Sequence, residues 1–256
     1  MNKILIVGYG FVGSAVGESL KNEYEVLISD PAVNTTKVSD YPDVSGIILC
    51  LPTPQGSDGS CDVSYLHSVL ADCPPSIPLL IKSTMSIEGY TYLRRKFSDL
   101  DITYSPEFLT AANAKQDFKE QSYYYLAGDS TNFWVSIFST VFPGATAKIS
   151  DSVEELILVK YFRNSFLSVK VAYANQMYDA CIKLNIDYDS VRNKFGEDPR
   201  IGSSHTLVPG PDGERGFGGA CFPKDTAAML HTAEEYDLDI SIIKAAVDYN
   251  NKLKED

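Results

Sequence analysis

The 256-residue sequence predicts a doubly wound α/β layer with a parallel sheet, followed by an all-helical domain built on one long central helix. Three observations carry this expectation. Residues 1–150 alternate short Val/Ile/Leu runs with amphipathic stretches, as strands of a parallel sheet covered on both faces must. Asp151-Ser152-Val153-Glu154 is a capping-box pattern, and the run it opens holds no Pro or Gly as far as Leu184. Beyond it, helical patterns surround one Gly/Pro-rich loop. The domains are therefore expected at 1–150 and 151–256.

In chain order, residues 3–8 (KILIVG), 24–30, 46–52, 77–82 and 102–104 read as buried strands. Residues 11–21, 63–72 and 86–97 read as the helices between them. Residues 123–127 and 146–149 are late strands that flank a helix carrying the lone Trp134. The helix from 153 is apolar on more than one side, which predicts burial between partners. Residues 186–195 form a further helix, 202–219 the loop, and 223–236 and 240–253 the closing helices.

Lys and Arg number 22 against 34 Asp and Glu, a net charge of −12 that opposes nonspecific nucleic-acid binding. No apolar run approaches the roughly 18 residues of a spanning helix, so no membrane association is expected. Met1-Asn2-Lys3 leads straight into the first strand without signal-peptide architecture. The five cysteines are scattered and form no Cys-x-x-Cys pair. Such usage fits a reducing cytoplasm rather than a disulfide framework or a zinc site, and no metal is expected.

Gly8-Tyr9-Gly10-Phe11-Val12-Gly13 has the spacing G-x-G-x-x-G. A strand precedes it, a helix follows, and a second strand ends on Asp30, 17 residues after Gly13. That context makes it a dinucleotide fingerprint, and the layer Rossmann-like. Gly8 permits the tight turn, Gly10 lets the pyrophosphate approach, and Gly13 allows close helix packing. The helix N-terminus attracts phosphate, and Asp30 accepts from ribose hydroxyls.

At about 100° per residue, Val153, Leu156, Ile157, Lys160, Asn164, Leu167 and Val171 share one face of the long helix. A lysine and a carboxamide four residues apart on an apolar stripe are placed to hold a developing alkoxide. The bland reading is a Lys that snorkels to solvent and an Asn that caps a loop. In Gly216-Phe217-Gly218-Gly219-Ala220-Cys221-Phe222-Pro223-Lys224-Asp225, Pro223 suits the first helical position. Cys221 then precedes a helix N-terminus with Lys224 nearby, where a thiolate nucleophile is favoured. Cys50, Cys73 and Cys181 read as core packing.

With these three features in hand, the chain resembles the UDP-glucose/GDP-mannose 6-dehydrogenase family. Supporting stretches are Leu51-Pro52-Thr53-Pro54 with Asp58-Gly59, Lys82-Ser83-Thr84, Ser105-Pro106-Glu107-Phe108-Leu109 and Asp198-Pro199-Arg200-Ile201-Gly202, in family order over nearly the whole chain. The resemblance implies oxidation of a nucleotide-sugar primary alcohol to a carboxylate with two NAD⁺, UDP-glucose being the first substrate to expect. It implies that Cys221 traps the aldehyde as a thiohemiacetal, which then becomes a thioester. Lys160 and Asn164 would stabilise the oxyanions, and Glu107, Thr84 and Asp225 would handle the hydrolytic water. NAD would meet Gly8, Gly10, Phe11, Val12, Gly13, Asp30, Leu51, Pro52, Thr53, Ser83, Thr84, Cys221 and Lys224. The substrate would meet Glu107, Phe108, Leu109, Lys160, Asn164, Arg200, Gly216, Phe217 and Gly218.

The chain departs from the family in places. A short form without the family's third, carboxy-terminal domain is expected, and residues 31–45 are shorter than usual. Thr110-Ala111-Ala112-Asn113 stands where an acid and a glycine are common, Ala220 replaces a serine, and residues 211–215 enlarge the loop before Cys221. Two other readings compete: a single-step β-hydroxyacid dehydrogenase, which needs no cysteine, and a non-catalytic NAD-binding partner subunit. Leu158, Phe162, Phe166 and Val169 form a second apolar side of the long helix, which predicts a homodimer packed through the helical domains. The enlarged loop would close over the nucleotide, with Arg200 as its phosphate contact.

Overall fold

Strand β1 (Lys3–Val7) shows why its run is apolar on both faces: after Lys3, Ile4, Leu5, Ile6 and Val7 are all buried, whichever face they point to. It is the second strand of a seven-stranded sheet in the computed structural model, which describes residues 2–110 and 113–255. The other strands are β2 (Glu25–Ser29), β3 (Gly46–Leu49), β4 (Leu79–Ile81), β5 (Ile102–Tyr104), β6 (Tyr123–Gly128) and β7 (Thr146–Ile149). Their order is β2-β1-β3-β4-β5-β6-β7. From β2 to β5 every pairing is parallel, with Ile4 opposite Val26 on one side and Gly46 on the other. The strand order reverses between β1 and β3. That switch point is where a doubly wound sheet leaves a crevice at its carboxyl edge.

The parallel sheet expected from the sequence is present, with one antiparallel pairing. β6 runs antiparallel to β5, with Tyr104 opposite Ala127, before β7 pairs with β6 in parallel. An apolar run reports burial but not direction. The link between β5 and β6 carries the six-residue helix α4 (Ala114–Lys119), which the sequence pattern did not reveal.

Helices α1 (Phe11–Leu20), α2 (Ser64–Leu70), α3 (Ile87–Lys96) and α5 (Thr131–Val141) complete this layer. One core cluster joins Ile4, Ile6, Ile48 and Leu80 of the sheet to Ala15, Leu20, Phe118, Trp134 and Phe138 of the helices. The Ser86 hydroxyl caps α3 by accepting from Gly89 N–H at 3.0 Å.

The long helix α6 (Val153–Lys183) starts as its capping pattern predicts, with Ser152 Oγ accepting from Glu155 N–H at 3.0 Å. It stops where Asn185 turns left-handed (φ 54°) and Ile186 N–H returns to Cys181 O at 2.9 Å. Helix α7 (Tyr188–Gly196) begins later than the sequence pattern indicated, because Asp187 is its cap. Helix α8 (Phe222–Glu235) begins one residue earlier than expected, so Pro223 is its second residue. Helix α9 (Ser241–Glu255) closes the chain.

Packing divides the chain into two compact units, residues 1–54 with 61–160, and residues 55–60 with 161–256. Among the described residues no helix is long and apolar enough to cross a membrane.

Candidate active site

In the first unit, the carboxyl edge at the switch point forms a cleft of about 770 Å³ lined by Gly8, Asp30, Lys37, Leu51 and Pro52 among others. Gly8 turns with φ +87°, and a Cβ there would sit 2.6 Å from Cys50 O. A Cβ at Gly13 would overlap the Gly8 carbonyl oxygen, whereas nothing lies within 4 Å of one at Gly10. The loop is thus packed tightly beneath and open above, as a pyrophosphate cradle requires. Asp30 holds the loop in place: its Oδ2 accepts from Tyr9 N–H at 2.6 Å and its Oδ1 from Ala32 N–H at 2.7 Å. Each oxygen retains a lone pair for a ribose hydroxyl. Phe11 projects into solvent at the start of α1, with Val12 half-buried behind it.

Side chains at the neighbouring strand ends lash this edge together. Leu51 N–H donates to Ser83 Oγ at 2.8 Å, and Thr53 Oγ1 donates to Thr84 O at 2.6 Å. Burial pushes the Cys50 thiol up to about 12, so it is a neutral packing group beneath the loop.

Lys160 does not snorkel. It is 3% exposed, and its Nζ donates to Glu107 O at 2.7 Å and Glu107 Oε1 at 2.9 Å. It also lies 5.6 Å from the Phe108 ring centre. Glu107 Oε2 accepts from Leu109 N–H at 2.7 Å. Burial alone would raise the Glu107 carboxyl, but the Lys160 charge and hydrogen bond, the Leu109 amide and Lys82 outweigh it and hold the group below the usual range. Leu109 itself packs against the core cluster. Of the neighbouring departures, Ala111 and Ala112 lie outside the described residues.

In the second unit, Cys221 is the exposed N-cap residue of α8. In the first turn behind it, Asp225 is 1% exposed and accepts from Asn164 Nδ2 at 2.6 Å. Asn164 is therefore no loop cap. Lys224 pairs with the other Asp225 oxygen at 2.5 Å, so its charge is partnered by that carboxylate. The backbone of the preceding loop is gripped from two helices. Asn175 Oδ1 on α6 accepts from Gly216 N–H at 3.2 Å, while Asn250 on α9 accepts from Phe217 N–H at 2.6 Å and donates to Phe217 O at 3.1 Å. Arg215, from the enlarged part of the loop, bonds Asp179 Oδ1 at 2.7 Å. Gly216, Phe217 and Gly218 line a pocket of about 190 Å³ with His205 and Phe222. The Arg200 guanidinium is exposed and paired with Asp198 at 2.5 Å.

Sequence reasoning missed Asn175 and Asn250, and it quoted Lys82 within a supporting stretch without giving it a role. An Asn in a helical run and a Lys at a strand end carry no local signal, since both are ordinary exposed residues until tertiary packing buries them.

Residues 154–252 match the model of the UDP-glucose/GDP-mannose dehydrogenase family, central domain. A UDP-glucose 6-dehydrogenase of Rickettsia typhi is 30% identical over 252 residues, covering 93% of this chain and 56% of that protein. The chain spans about half the length of the curated relatives it matches. A UDP-glucose dehydrogenase structure from Pyrobaculum islandicum superposes with a TM-score of 0.79 at 22% identity, over 98% of this chain and 68% of that one. A 3-hydroxyisobutyrate dehydrogenase of Mycobacterium tuberculosis superposes at 0.76 and 16% identity, over 100% and 94%. At such identities the likeness speaks to the fold alone. On these matches, residues 154–252 are similar to the central domain of the UDP-glucose/GDP-mannose dehydrogenase family, and the chain as a whole is similar to UDP-glucose 6-dehydrogenases.

Proposed function

We propose that the chain carries out the NAD-dependent oxidation of a nucleotide-sugar C6 primary alcohol to the uronic acid, of the UDP-glucose to UDP-glucuronate type. The observation that carries this reading is the first turn of α8: an exposed cysteine at the N-cap, with a buried carboxylate one turn behind it bonded to the carboxamide of α6. A single alcohol oxidation has no use for such a nucleophile; retention of an aldehyde for a second oxidation does.

The glycine loop, the α1 N-terminus and Asp30 fit NAD, by the open space above Gly10 and the fixed carboxylate at the end of β2. Leu51, Pro52, Thr53, Ser83 and Thr84 complete that edge. When bound, NAD accepts the hydride in each oxidation. The Lys160 ammonium supplies positive charge to the sugar oxygen as that oxygen loses its proton. Glu107 takes protons from the alcohol and later from the hydrolytic water, a task for an ionised carboxylate. Cys221 attacks the aldehyde carbon through its thiolate, with the α8 N-terminus favouring that ion. Asn164 donates to the resulting oxyanion, and Asp225 orients Asn164. Hydrolysis of the thioester by water releases the carboxylate and regenerates the thiol. Arg200 exchanges Asp198 for a substrate phosphate, and the loop at Gly216, Phe217 and Gly218 bears on the sugar.

A homodimer is part of this proposal. Phe162 and Phe166 on α6 are 53% and 67% exposed, an apolar stripe that supports a second copy packed against it. Light scattering of the whole chain tests it.

The decisive assay is NADH production over UDP- and GDP-sugars with product stoichiometry. Two NADH per sugar supports the proposal. One NADH per sugar supports a single-step dehydrogenase of the β-hydroxyacid type, which has no need of a cysteine nucleophile. NAD⁺ binding with no turnover of any sugar nucleotide supports a partner subunit.

A further inference from the structure

The chemistry above leaves one buried ammonium unused. Lys82, just past the end of β4, is 3% exposed, and its Nζ donates to Ser105 O at 3.1 Å and Ser105 Oγ at 3.2 Å. The rings of Phe118 and Phe138 lie 5.4 and 5.8 Å from it. No carboxylate pairs with it among the described residues. Two residues past Ser105, Lys160 holds the carbonyl and carboxylate of Glu107. The tripeptide Ser105-Pro106-Glu107 is therefore pinned at both ends by buried ammonium groups, and Pro106 between them has no N–H to contribute. Two cations share one anion. An apolar side chain would fill the place of Lys82 with less desolvation penalty, so its charge calls for a reason.

We propose that Lys82 is a positioning residue, which fixes Ser105 and keeps Glu107 ionised when Lys160 turns its ammonium toward the substrate oxygen. The turn of Lys160 rests on the dehydrogenase reading; the coupling of Lys82 to Glu107 does not. The titratable groups that face Lys82 are the Cys50 thiol at the end of β3, Glu107, and Lys160 on α6. The thiol is neutral and Lys160 is a cation, so Glu107 is the anion on which the Lys82 charge acts. A buried carboxylate deserted by its ion-pair partner takes up a proton, and a protonated acid cannot serve as the base. Lys82 prevents that without touching the reacting atoms. Burial pushes the Lys82 ammonium down to about 8, so this support fades above that pH.

The test is a carboxyl-¹³C NMR titration of glutamate-labelled whole chain, with Glu107 assigned through Glu107→Gln. The variants are Lys82→Met, Lys82→Gln, Lys160→Met and the Lys82→Met/Lys160→Met double. The proposal expects Lys82→Met to weaken the acidity of Glu107 about tenfold, and further in the Lys160→Met background. Lys82→Gln, which keeps a donor to Ser105 but no charge, should behave as Lys82→Met does. It also guards against a Met variant that does not fold. An unchanged Glu107 titration without Lys82, or full restoration by Gln, overturns the proposal. In the active enzyme the acid limb of the kcat profile should move up by about one pH unit in Lys82→Gln, with the sugar KM little changed. Absence of NADH from the parent with every nucleotide sugar would sink the dehydrogenase reading, while the NMR titration still decides the role of Lys82.

Discussion

Asn164 and Asp225 meet as carboxamide and carboxylate across 2.6 Å, both out of water, and so tie α6 to the first turn of the helix that Cys221 caps. Asn164→Ala leaves a buried carboxylate one donor short and should cost about 1–3 kcal/mol of stability. Asn164→Asp sets two carboxylates in contact and should cost more near neutral pH, with the deficit shrinking as acid protonates one of them. Urea unfolding of the two variants at pH 7 and pH 5 checks the order. Equal stability of both variants at pH 7 would mean the contact carries no charge.

The glycine loop predicts two different failures. Gly13→Ala drives a Cβ into the Gly8 carbonyl and should unsettle the fold itself, lowering Tm by several degrees. Gly10→Ala has open space for its methyl in the protein alone and should keep the parent Tm, yet weaken NAD⁺ by at least tenfold. Calorimetry and thermal melts on both variants separate these effects.

Asp30 should decide cofactor choice. Its carboxylate faces the cleft and repels a 2′-phosphate, so NAD⁺ should bind more tightly than NADP⁺. The structure adds Lys37 to the same lining, 7 residues along the chain. Asp30→Ala should therefore lose NAD⁺ affinity and narrow or invert the preference, with Lys37→Ala restoring it in the double variant. Binding isotherms for both cofactors test this; a parent that prefers NADP⁺ contradicts it.

Cys221→Ser should complete the first oxidation at most. A hydroxyl at the N-cap lacks the nucleophilicity of a thiolate near neutral pH, so the second NADH should fall by orders of magnitude. Because Cys221 is exposed, the fold should be unaffected within about 0.5 kcal/mol. A serine variant that makes two NADH per sugar at the parent rate would remove the covalent role.

Lys82 should leave a mark on stability as well as on Glu107. Its folded-state value of about 8 lies below the 10.5 of an exposed lysine, so between these values the unfolded chain binds more protons. The penalty is present in full below pH 8 and is relieved as pH rises toward 10.5. Relative to Lys82→Met, the parent should gain up to about 3 kcal/mol over that window. Paired denaturant titrations at pH 7.5 and 10 measure the difference; a gap that does not change with pH would show that the ammonium is not strained by burial.

Much of this protein follows from its local patterns. Continuous apolar runs locate β1 to β5, because a strand covered on both faces has no polar side to show. The spacing from Gly13 to Asp30 locates the dinucleotide edge, because one helix and one strand must fit between them. The four-residue step from Lys160 to Asn164 puts both on one face of α6, and Pro223 after Cys221 marks the start of α8 to within one residue. These features are encoded by neighbours in sequence, through helix and strand periods, caps and turns. Tertiary structure alone decided the rest. It reversed β6 against β5, paired Lys160 with Glu107 from 53 residues away, joined Asn164 to Asp225 from 61 residues away, and turned Lys82 from an ordinary strand-end lysine into a buried cation. Each of these depends on which distant groups exclude water around a side chain. Burial changes the energy of a charge far more than any residue beside it in sequence does.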